Sequence, residues 1–363
     1  MAIYPAFDPG INEMAVVWKH LCNQQKLACT VIAGERDLLK GRDVGRSCEG
    51  YENLTIRRFP VRTPTSELVA VALEAKPDLI FAAVHDNVGL ARDVQRHLNV
   101  PIVLHNEFFL DDVGLLLRRR YHLGVPMLRH SANEIYRRYL HRVCARICIS
   151  NPVEQGLPGW KRYQRLRYLP WPCPVEPTEA DHPPRDLNRA LYIGSLSRWK
   201  GAQHLQQYFA ALLRALPNLT LTLVGPAVDQ TGIETLRLLQ GQFGKRVRVE
   251  DRCSRPEALA LIASALFTFS PAQRFGWGLI DDSWGCGTPI VSVSEHYDLR
   301  DDENCLVAHS EADFVRQVRA LQTDAFLRDR LAQAGRVTVT SHGVDHVART
   351  LLATLDEAAV AVR

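Results

Sequence analysis

Short apolar runs alternate with longer amphipathic segments through the first half of the chain. The apolar runs are continuous rather than interleaved with polar residues, which is typical of parallel strands that helices cover on both faces. The predicted strands are 28–35, 78–84, 101–105 and 146–150. Between them, apolar residues recur at intervals of three and four, which predicts helices at 12–25 and 66–75.

The same order begins again after residue 189, with predicted strands at 190–194, 219–225, 265–270 and 289–294. Six prolines in 169–186 exclude a helix or a central strand there, so this stretch is predicted to be a linker. The predicted fold is α/β, with two doubly wound Rossmann-like domains that face a central cleft. The predicted segments are an N-terminal domain at 1–168, a linker at 169–188, a second domain at 189–340 and a C-terminal helix within 341–363 that packs back towards the first domain.

Length and composition agree with this picture. A chain of 363 residues, 46% hydrophobic and 23% charged, suits two globular domains better than one. Its apolar runs fall short of the roughly 20 residues of a membrane-spanning helix, and its start lacks the basic and apolar regions of a signal peptide, so we expect a cytoplasmic protein. The nine cysteines are scattered apart from Cys144 and Cys148, and we expect buried free thiols rather than a metal site.

The positive charge is concentrated in one segment. The net charge of the chain is +4, yet residues 118–146 alone hold eight arginines against a single acid, Glu134. A solvated helix face explains this pattern in one interpretation. In the other, residues 115–146 bind an anionic surface, which would place the protein peripherally on the inner face of the membrane, and lipid is favoured over nucleic acid.

The stretch 274–292, RFGWGLIDDSWGCGTPIVS, contains candidate ligand-binding residues. Gly276 and Gly278 allow close approach of a ligand to the backbone, and a helix that begins near Leu279 would direct its free N–H groups and positive dipole end towards a phosphate. Asp282, about one turn into that helix, could accept hydrogen bonds from the vicinal hydroxyls of a ribose. The alternative is an ordinary helix-to-strand connection with glycine turns.

A second candidate is the stretch 192–205, YIGSLSRWKGAQHL. It leaves a strand, passes Gly194 and enters a helix near Gly201 that carries Arg198 and Lys200 at its start. The helix dipole disfavours cations at this end, so two of them there indicate a bound anion. The alternative is a pair of solvated charges on a loop.

These motifs resemble the donor domain of the family 4 retaining glycosyltransferases, which have the GT-B fold. The family motif Gly-x-Leu-x-x-x-Lys-Gly is met by Gly194, Leu196, Lys200 and Gly201. In the acidic motif of the family, Asp282 takes the place of the second acid, with Gly287 and Pro289 in register behind it. The resemblance extends over residues 188–360, and over the first half in outline.

The resemblance implies a nucleotide-diphosphate sugar as donor, with UDP or GDP as the nucleotide, and transfer to an acceptor hydroxyl with retained configuration, without a metal or other cofactor. Lys200 and Arg198 would neutralise the leaving diphosphate, and His105 would either contact the donor sugar or be an ordinary strand-end histidine. The donor-binding residues would be Gly194, Ser195, Gly225, Arg274, Gly276, Trp277, Gly278, Leu279 and Asp282. The acceptor-side residues would be Gly10, Asn12, His85 and Asn106.

Two departures from the family pattern concern the donor. Ser195 stands where the family has an arginine, so we expect Arg198 to supply that charge. Arg274 stands where the family has its first acid, which predicts an acidic donor sugar or a contact between Arg274 and the diphosphate. The alternative is that Arg274 faces solvent.

Several functions besides glycosyl transfer are compatible with a two-domain α/β protein. An NAD-dependent oxidoreductase would need Gly-x-Gly-x-x-Gly after an early strand, and this triplet does not occur in the sequence. A sugar-nucleotide epimerase of the GT-B fold, a glycosyltransferase acting on nucleic acid or a natural product, and a non-catalytic sugar-nucleotide binding module all stay open. For a hexosyltransferase-like enzyme, the acceptor would be a lipid-linked or cell-surface glycan, a lipid or a small molecule.

Overall fold

The computed structural model divides the chain into two compact units, Met1–Pro172 with Val344–Arg363, and Cys173–Gly343. The chain thus leaves the first unit within the proline-rich stretch and returns to it for its C-terminal helix. The residues that the structure describes are 1–7, 13–24, 26–37, 42–43, 48–60, 62–83, 87–106, 135, 138–150, 165–173, 184–272 and 277–360.

The first unit is built on a sheet in which the described residues form eight strands, in the order β10-β9-β8-β7-β1-β2-β6-β5. All neighbouring strands are parallel except β5 and β6. Four central residues, Ile80–Ala83, are all buried, because helices cover both faces of this part of the sheet. The strands are β1 (Ala2–Ala6), β2 (Cys29–Gly34), β5 (Cys48–Tyr51), β6 (Leu54–Phe59), β7 (Ile80–Ala83), β8 (Ile102–Asn106), β9 (Arg146–Ile149) and β10 (Leu166–Tyr168), and a separate hairpin pairs β3 (Arg36–Asp37) with β4 (Arg42–Asp43).

Helices α1 (Glu13–Asn23), α2 (Thr65–Glu74), α3 (Val88–Leu98) and the C-terminal helix α10 (Val344–Val360) also belong to the first unit. The C-terminal helix packs on α1 and is also tied to the sheet. Oε2 of Glu357 accepts hydrogen bonds from Nε of Arg146, at 3.0 Å, and from Nη2 of Arg167, at 2.6 Å. Arg146, the last arginine of the arginine-rich segment, begins β9, and Arg167 lies within β10. At least this one arginine of the segment therefore serves the fold.

The second unit has a fully parallel sheet, in which the described residues form six strands in the order β13-β12-β11-β14-β15-β16. The rings of Phe209, Phe267, Phe269 and Phe314 pack together in its core. The strands are β11 (Asp186–Ile193), β12 (Thr220–Val224), β13 (Val247–Glu250), β14 (Ala265–Ser270), β15 (Ile290–Ser292) and β16 (Leu306–Val307). The helices are α4 (Ala202–Ala215), α5 (Gln230–Phe243), α6 (Arg255–Ser264), α7 (Trp277–Gly285), α8 (Glu311–Thr323) and α9 (Ala325–Thr340).

The α/β class with two Rossmann-like parallel sheets is confirmed. Each predicted strand overlaps an observed one, and the predicted C-terminal helix is α10. Among the described helices, none combines the length and the apolar character that crossing a membrane requires. The eight cysteines whose side chains the structure describes are free thiols, and all but the half-buried Cys253 are buried, as predicted.

Candidate functional site

Three loops meet at the carboxyl edge of the second sheet, after β11, β12 and β14. Glycines allow the contact. A Cβ atom on Gly225 would lie 2.2 Å from the carbonyl oxygen of Gly194, and one on Gly201 would lie 2.2 Å from the carbonyl oxygen of Pro271. Gly201 also has a φ of +79°, which other residues rarely adopt. The loop after β11 is therefore packed directly against the ends of its neighbouring strands.

Backbone and side-chain hydrogen bonds fix the shape of the loop at residues 194–201. The N–H of Leu196 donates to the carbonyl of Pro226, at 2.8 Å, and the carbonyl of Leu196 accepts from Val228, at 3.0 Å. Asp229 caps α5 through Oδ1 and accepts from the N–H of Arg198 through Oδ2, at 2.9 Å. The loop that carries the two predicted cations is thus bonded to the start of the next helix.

Arg198 is exposed on this loop and Lys200 is half-buried, immediately before α4. The helix begins after Gly201, which offers no side chain to cap its first N–H groups. The positive end of the helix and two cations therefore lie together at the carboxyl edge of β11. This arrangement favours binding of an anion.

Helix α7, described from Trp277 onwards, carries the second group of predicted residues. Trp277 is buried, whereas Gly278 and Leu279 are half-buried. The helix is anchored to β14 by a 2.8 Å hydrogen bond between the hydroxyls of Ser283 and Thr268. The helix is thus held against the strand whose carboxyl end adjoins the Lys200 loop.

Asp282 on α7 forms an ion pair with Arg255 on α6, with 2.8 Å between Oδ1 and Nη2 and 3.2 Å between Oδ2 and Nη1. The carboxylate has 13% of its side chain exposed, so solvent reaches it from one side. Burial raises the pKa of Asp282, and the Arg255 guanidinium opposes that shift. Its predicted role, to hold ribose hydroxyls, stays a prediction.

The neighbouring Asp281 belongs to a buried charged network. Nδ1 of His342 lies 2.8 Å from Oδ1 of Asp281, and Nε2 lies 2.9 Å from Oδ2 of Asp298. The Tyr297 hydroxyl donates to Oδ2 of Asp281 at 3.1 Å. Burial lowers the pKa of His342, but the two carboxylates outweigh it and raise the pKa to about 9. Because each ring nitrogen faces a carboxylate, we assign the imidazolium form.

His105 lies in the first unit, at the end of β8, and is fully buried. Its Nε2 lies 2.8 Å from the Ser150 hydroxyl, and its ring stacks on Trp171 at 6.2 Å between ring centroids. Burial lowers the pKa of His105 to about 3, so the ring is neutral at physiological pH. Its predicted contact with a sugar stays a prediction.

The remaining predicted residues fall largely outside the described part of the chain. Asn106 ends β8, and its side chain is not described. Residues 107–134, which hold most of the arginine-rich segment, also lie outside the described residues, so lipid binding stays a prediction that sedimentation with anionic vesicles would test. The predicted site residues outside the described ranges are Gly10, Asn12, His85, Arg274 and Gly276.

Sequence reasoning did not single out Arg255, His342, Tyr297 or Asp298. For Arg255 a signal existed, since it is the first residue of α6, where the helix dipole disfavours a cation. His342 gave no such signal, because it is a lone histidine distant in sequence from Asp281 and Asp298. Long-range pairing of this kind is not readable from one sequence.

Comparison with known proteins shows similarity to glycosyltransferases in sequence and in fold. Residues 203–353 match the model of the Glycosyl transferase-like family. No match to a curated protein was found by sequence. Among solved structures, HepE of Anabaena in complex with UDP and glucose is similar, with a TM-score of 0.72 and 14% identity over 98% of this chain and 99% of that one.

Two further structures are similar over nearly their whole length. Sucrose-phosphate synthase of Thermosynechococcus elongatus has a TM-score of 0.69 and 16% identity over 96% of both chains. A glycosyltransferase of Rickettsia africae has a TM-score of 0.71 and 10% identity over 98% of both chains. The chain therefore has the GT-B fold, and the part of it at residues 203–353 is glycosyltransferase-like in sequence.

Proposed function

We propose that the protein transfers a sugar from a nucleoside diphosphate sugar to an acceptor hydroxyl, with retention of configuration and independently of a metal ion. A glycosyltransferase-type function is supported by the family match and the fold. The observation that carries the proposal is the loop at residues 194–201, which glycine contacts hold against the ends of β12 and β14 with Arg198 and Lys200 at the start of α4.

In this proposal the departing diphosphate lies at the start of α4. Lys200 and Arg198 stabilise the charge that develops on the leaving group, and the positive end of the helix adds to their effect. Such groups are pre-oriented, so little reorganisation is needed when the bond to the sugar breaks. The hydrogen bond from the N–H of Arg198 to Asp229 supports this role, since it fixes the loop backbone that bears both cations.

Asp282 accepts hydrogen bonds from the ribose hydroxyls in the proposed complex. UDP is the first nucleotide to test, because HepE was determined with UDP and with UDP-glucose. For the acceptor, the arginine-rich sequence favours a lipid or a lipid-linked glycan at an anionic surface. Arg274 would contact either an acidic donor sugar or the diphosphate.

The test is proton NMR of the purified protein with UDP-, GDP- and ADP-sugars, with and without short acceptor glycans and lipid-linked acceptors. The expected result is consumption of one donor class and a first-formed product with the anomeric configuration of that donor. Inversion would refute retention. A free epimerised sugar formed without acceptor would assign an epimerase instead, and inertness towards all donors would reject the enzymatic proposal.

A further inference from the structure

The Arg255 guanidinium makes a two-point contact with the Asp282 carboxylate. Nη2 donates to Oδ1 at 2.8 Å, and Nη1 donates to Oδ2 at 3.2 Å. The two residues lie on separate helices, α6 and α7, which flank the same strand, β14. A bidentate pair of this kind restricts the rotation of the carboxylate more than a one-point contact would.

The start of α6 does not itself require this arginine. Ser254 and Glu257 form a capping box, in which the Ser254 hydroxyl accepts from the N–H of Glu257 and the Glu257 carboxylate accepts from the N–H of Ser254. A cation at the first helical residue is disfavoured by the helix dipole. The bidentate contact with Asp282 offsets this cost and gives a structural reason for an arginine at this position.

The Arg255–Asp282 pair is partly accessible to solvent. The Asp282 side chain is 13% exposed and that of Arg255 is 46% exposed. A carboxylate has about four acceptor positions. Among the described residues, Arg255 occupies two of them, which leaves acceptor capacity for two further donors on the accessible side. Two adjacent hydroxyls, as in the cis-diol of a ribose, match that remaining capacity.

We infer that Arg255 is a positioning residue for the nucleotide, which holds Asp282 in the orientation that accepts the 2′- and 3′-hydroxyls of ribose and thereby selects ribonucleotides over 2′-deoxyribonucleotides. This inference rests on the proposed function. Arg255 would thus bring a residue of α6 into the nucleotide site and act on the ribose of the donor.

The experiment is calorimetric titration of the whole protein with UDP and 2′-deoxy-UDP, and with the corresponding GDP and ADP pairs. The variants are Arg255→Gln, Arg255→Lys, Asp282→Asn and the double variant Arg255→Gln/Asp282→Asn. Arg252→Gln is the matched control, because Arg252 lies in the loop just before α6 with 72% of its side chain exposed. Its ion-pair contact with Asp251 is long, at 3.9 Å between Nε and Oδ2. Circular dichroism and thermal melting verify that each variant is folded.

We expect the wild type to bind the ribonucleotide about 10- to 100-fold more tightly than its 2′-deoxy form, which is the range for one hydrogen bond to a charged group. Arg255→Gln should reduce that preference by about 10-fold, Arg255→Lys should reduce it less, and Arg252→Gln should leave it unchanged. In the Asp282→Asn background, Arg255→Gln should have little further effect, because both changes act on one interaction.

An unchanged ribose preference in folded Arg255→Gln, with loss of the preference in Asp282→Asn, would overturn the inference while leaving the proposed donor site intact. An unchanged preference in Asp282→Asn would overturn the inference together with the assignment of Asp282 to ribose. Binding of none of the three ribonucleotides would overturn both the inference and the proposed donor.

Discussion

Adjacent acids on α7 have different environments because they point to different sides of the helix. Asp282 is partly exposed and bonded to Arg255, whereas Asp281 is fully buried and bonded to His342 and Tyr297. Motif spacing selected Asp282 from the sequence as a candidate site residue, and its role stays a prediction. The partners of both acids could not be identified, because each partner is brought in by a separate element of the fold.

The His342 network makes stability depend on pH. In the unfolded chain the histidine pKa is about 6.5, whereas in the folded protein it is raised to about 9. Protonation of His342 therefore contributes its full share to the free energy of unfolding just below pH 6.5, and that share is lost as the pH rises towards 9. His342→Gln should be less stable than the wild type at pH 6.5, and the difference should shrink by up to about 1.4 kcal/mol per pH unit above it.

Urea unfolding of both proteins between pH 6 and pH 9.5 measures this difference. The difference between the two proteins is used because other groups also make stability depend on pH. Burial raises the pKa of the Cys22 thiol to about 12, so at high pH this thiol ionises more readily in the unfolded chain, which lowers the stability of both proteins. The control is His346→Gln, which alters an exposed histidine four residues later. A difference between His342→Gln and the wild type that stays constant across this range would refute the imidazolium assignment.

The candidate donor site depends on how closely the loop after β11 approaches the end of β14. Gly201→Ala should disrupt it, because the new Cβ would lie 2.2 Å from the Pro271 carbonyl oxygen and the φ of +79° is strained for alanine. We expect lower thermal stability and loss of nucleotide binding beyond the stability change. Thermal melting without UDP measures the stability, and the rise in melting temperature on addition of UDP measures binding.

Gly241→Ala is the matched control for this substitution. Gly241 lies within α5, and no atom lies within 4 Å of the position that its Cβ would take. Alanine should raise stability there by roughly 0.5–1 kcal/mol, because glycine disfavours a helix interior. Equal effects of the two substitutions would show that the close approach of the loop is unimportant.

Continuous apolar sequence predicted most of the central strands of both sheets, since strands buried on both faces contain few polar residues. It did not predict β1 (Ala2–Ala6), which lies between β7 and β2. Strands at or next to the sheet edges were also omitted. Among them are β6 (Leu54–Phe59), which alternates buried and half-buried residues, β10 (Leu166–Tyr168), which is three residues long and lies at the sheet edge, and the two edge strands of the second sheet, β13 and β16. The register and order of the strands depend on contacts between distant segments. They could not be read from local periodicity.

The chain enters and leaves the second unit at adjacent positions. The N–H of Cys173 donates to the carbonyl of His342 at 2.7 Å, and Cys173 forms a parallel bridge with Gly343. The same His342 bonds to Asp281 on α7. The point where the chain returns to the first unit is thus linked by hydrogen bonds to the helix that carries Asp282.

Turnover of a nucleotide sugar by Lys200→Ala tests whether Lys200 stabilises the leaving diphosphate. Lys245→Ala, which removes an exposed lysine of the same unit, is the control. We expect Lys200→Ala to stay folded and its kcat to fall by about 10²–10³-fold, equivalent to about 3–4 kcal/mol of lost transition-state stabilisation. Lys245→Ala should behave as the wild type. Near wild-type turnover by Lys200→Ala would contradict the assignment of the leaving diphosphate to the start of α4.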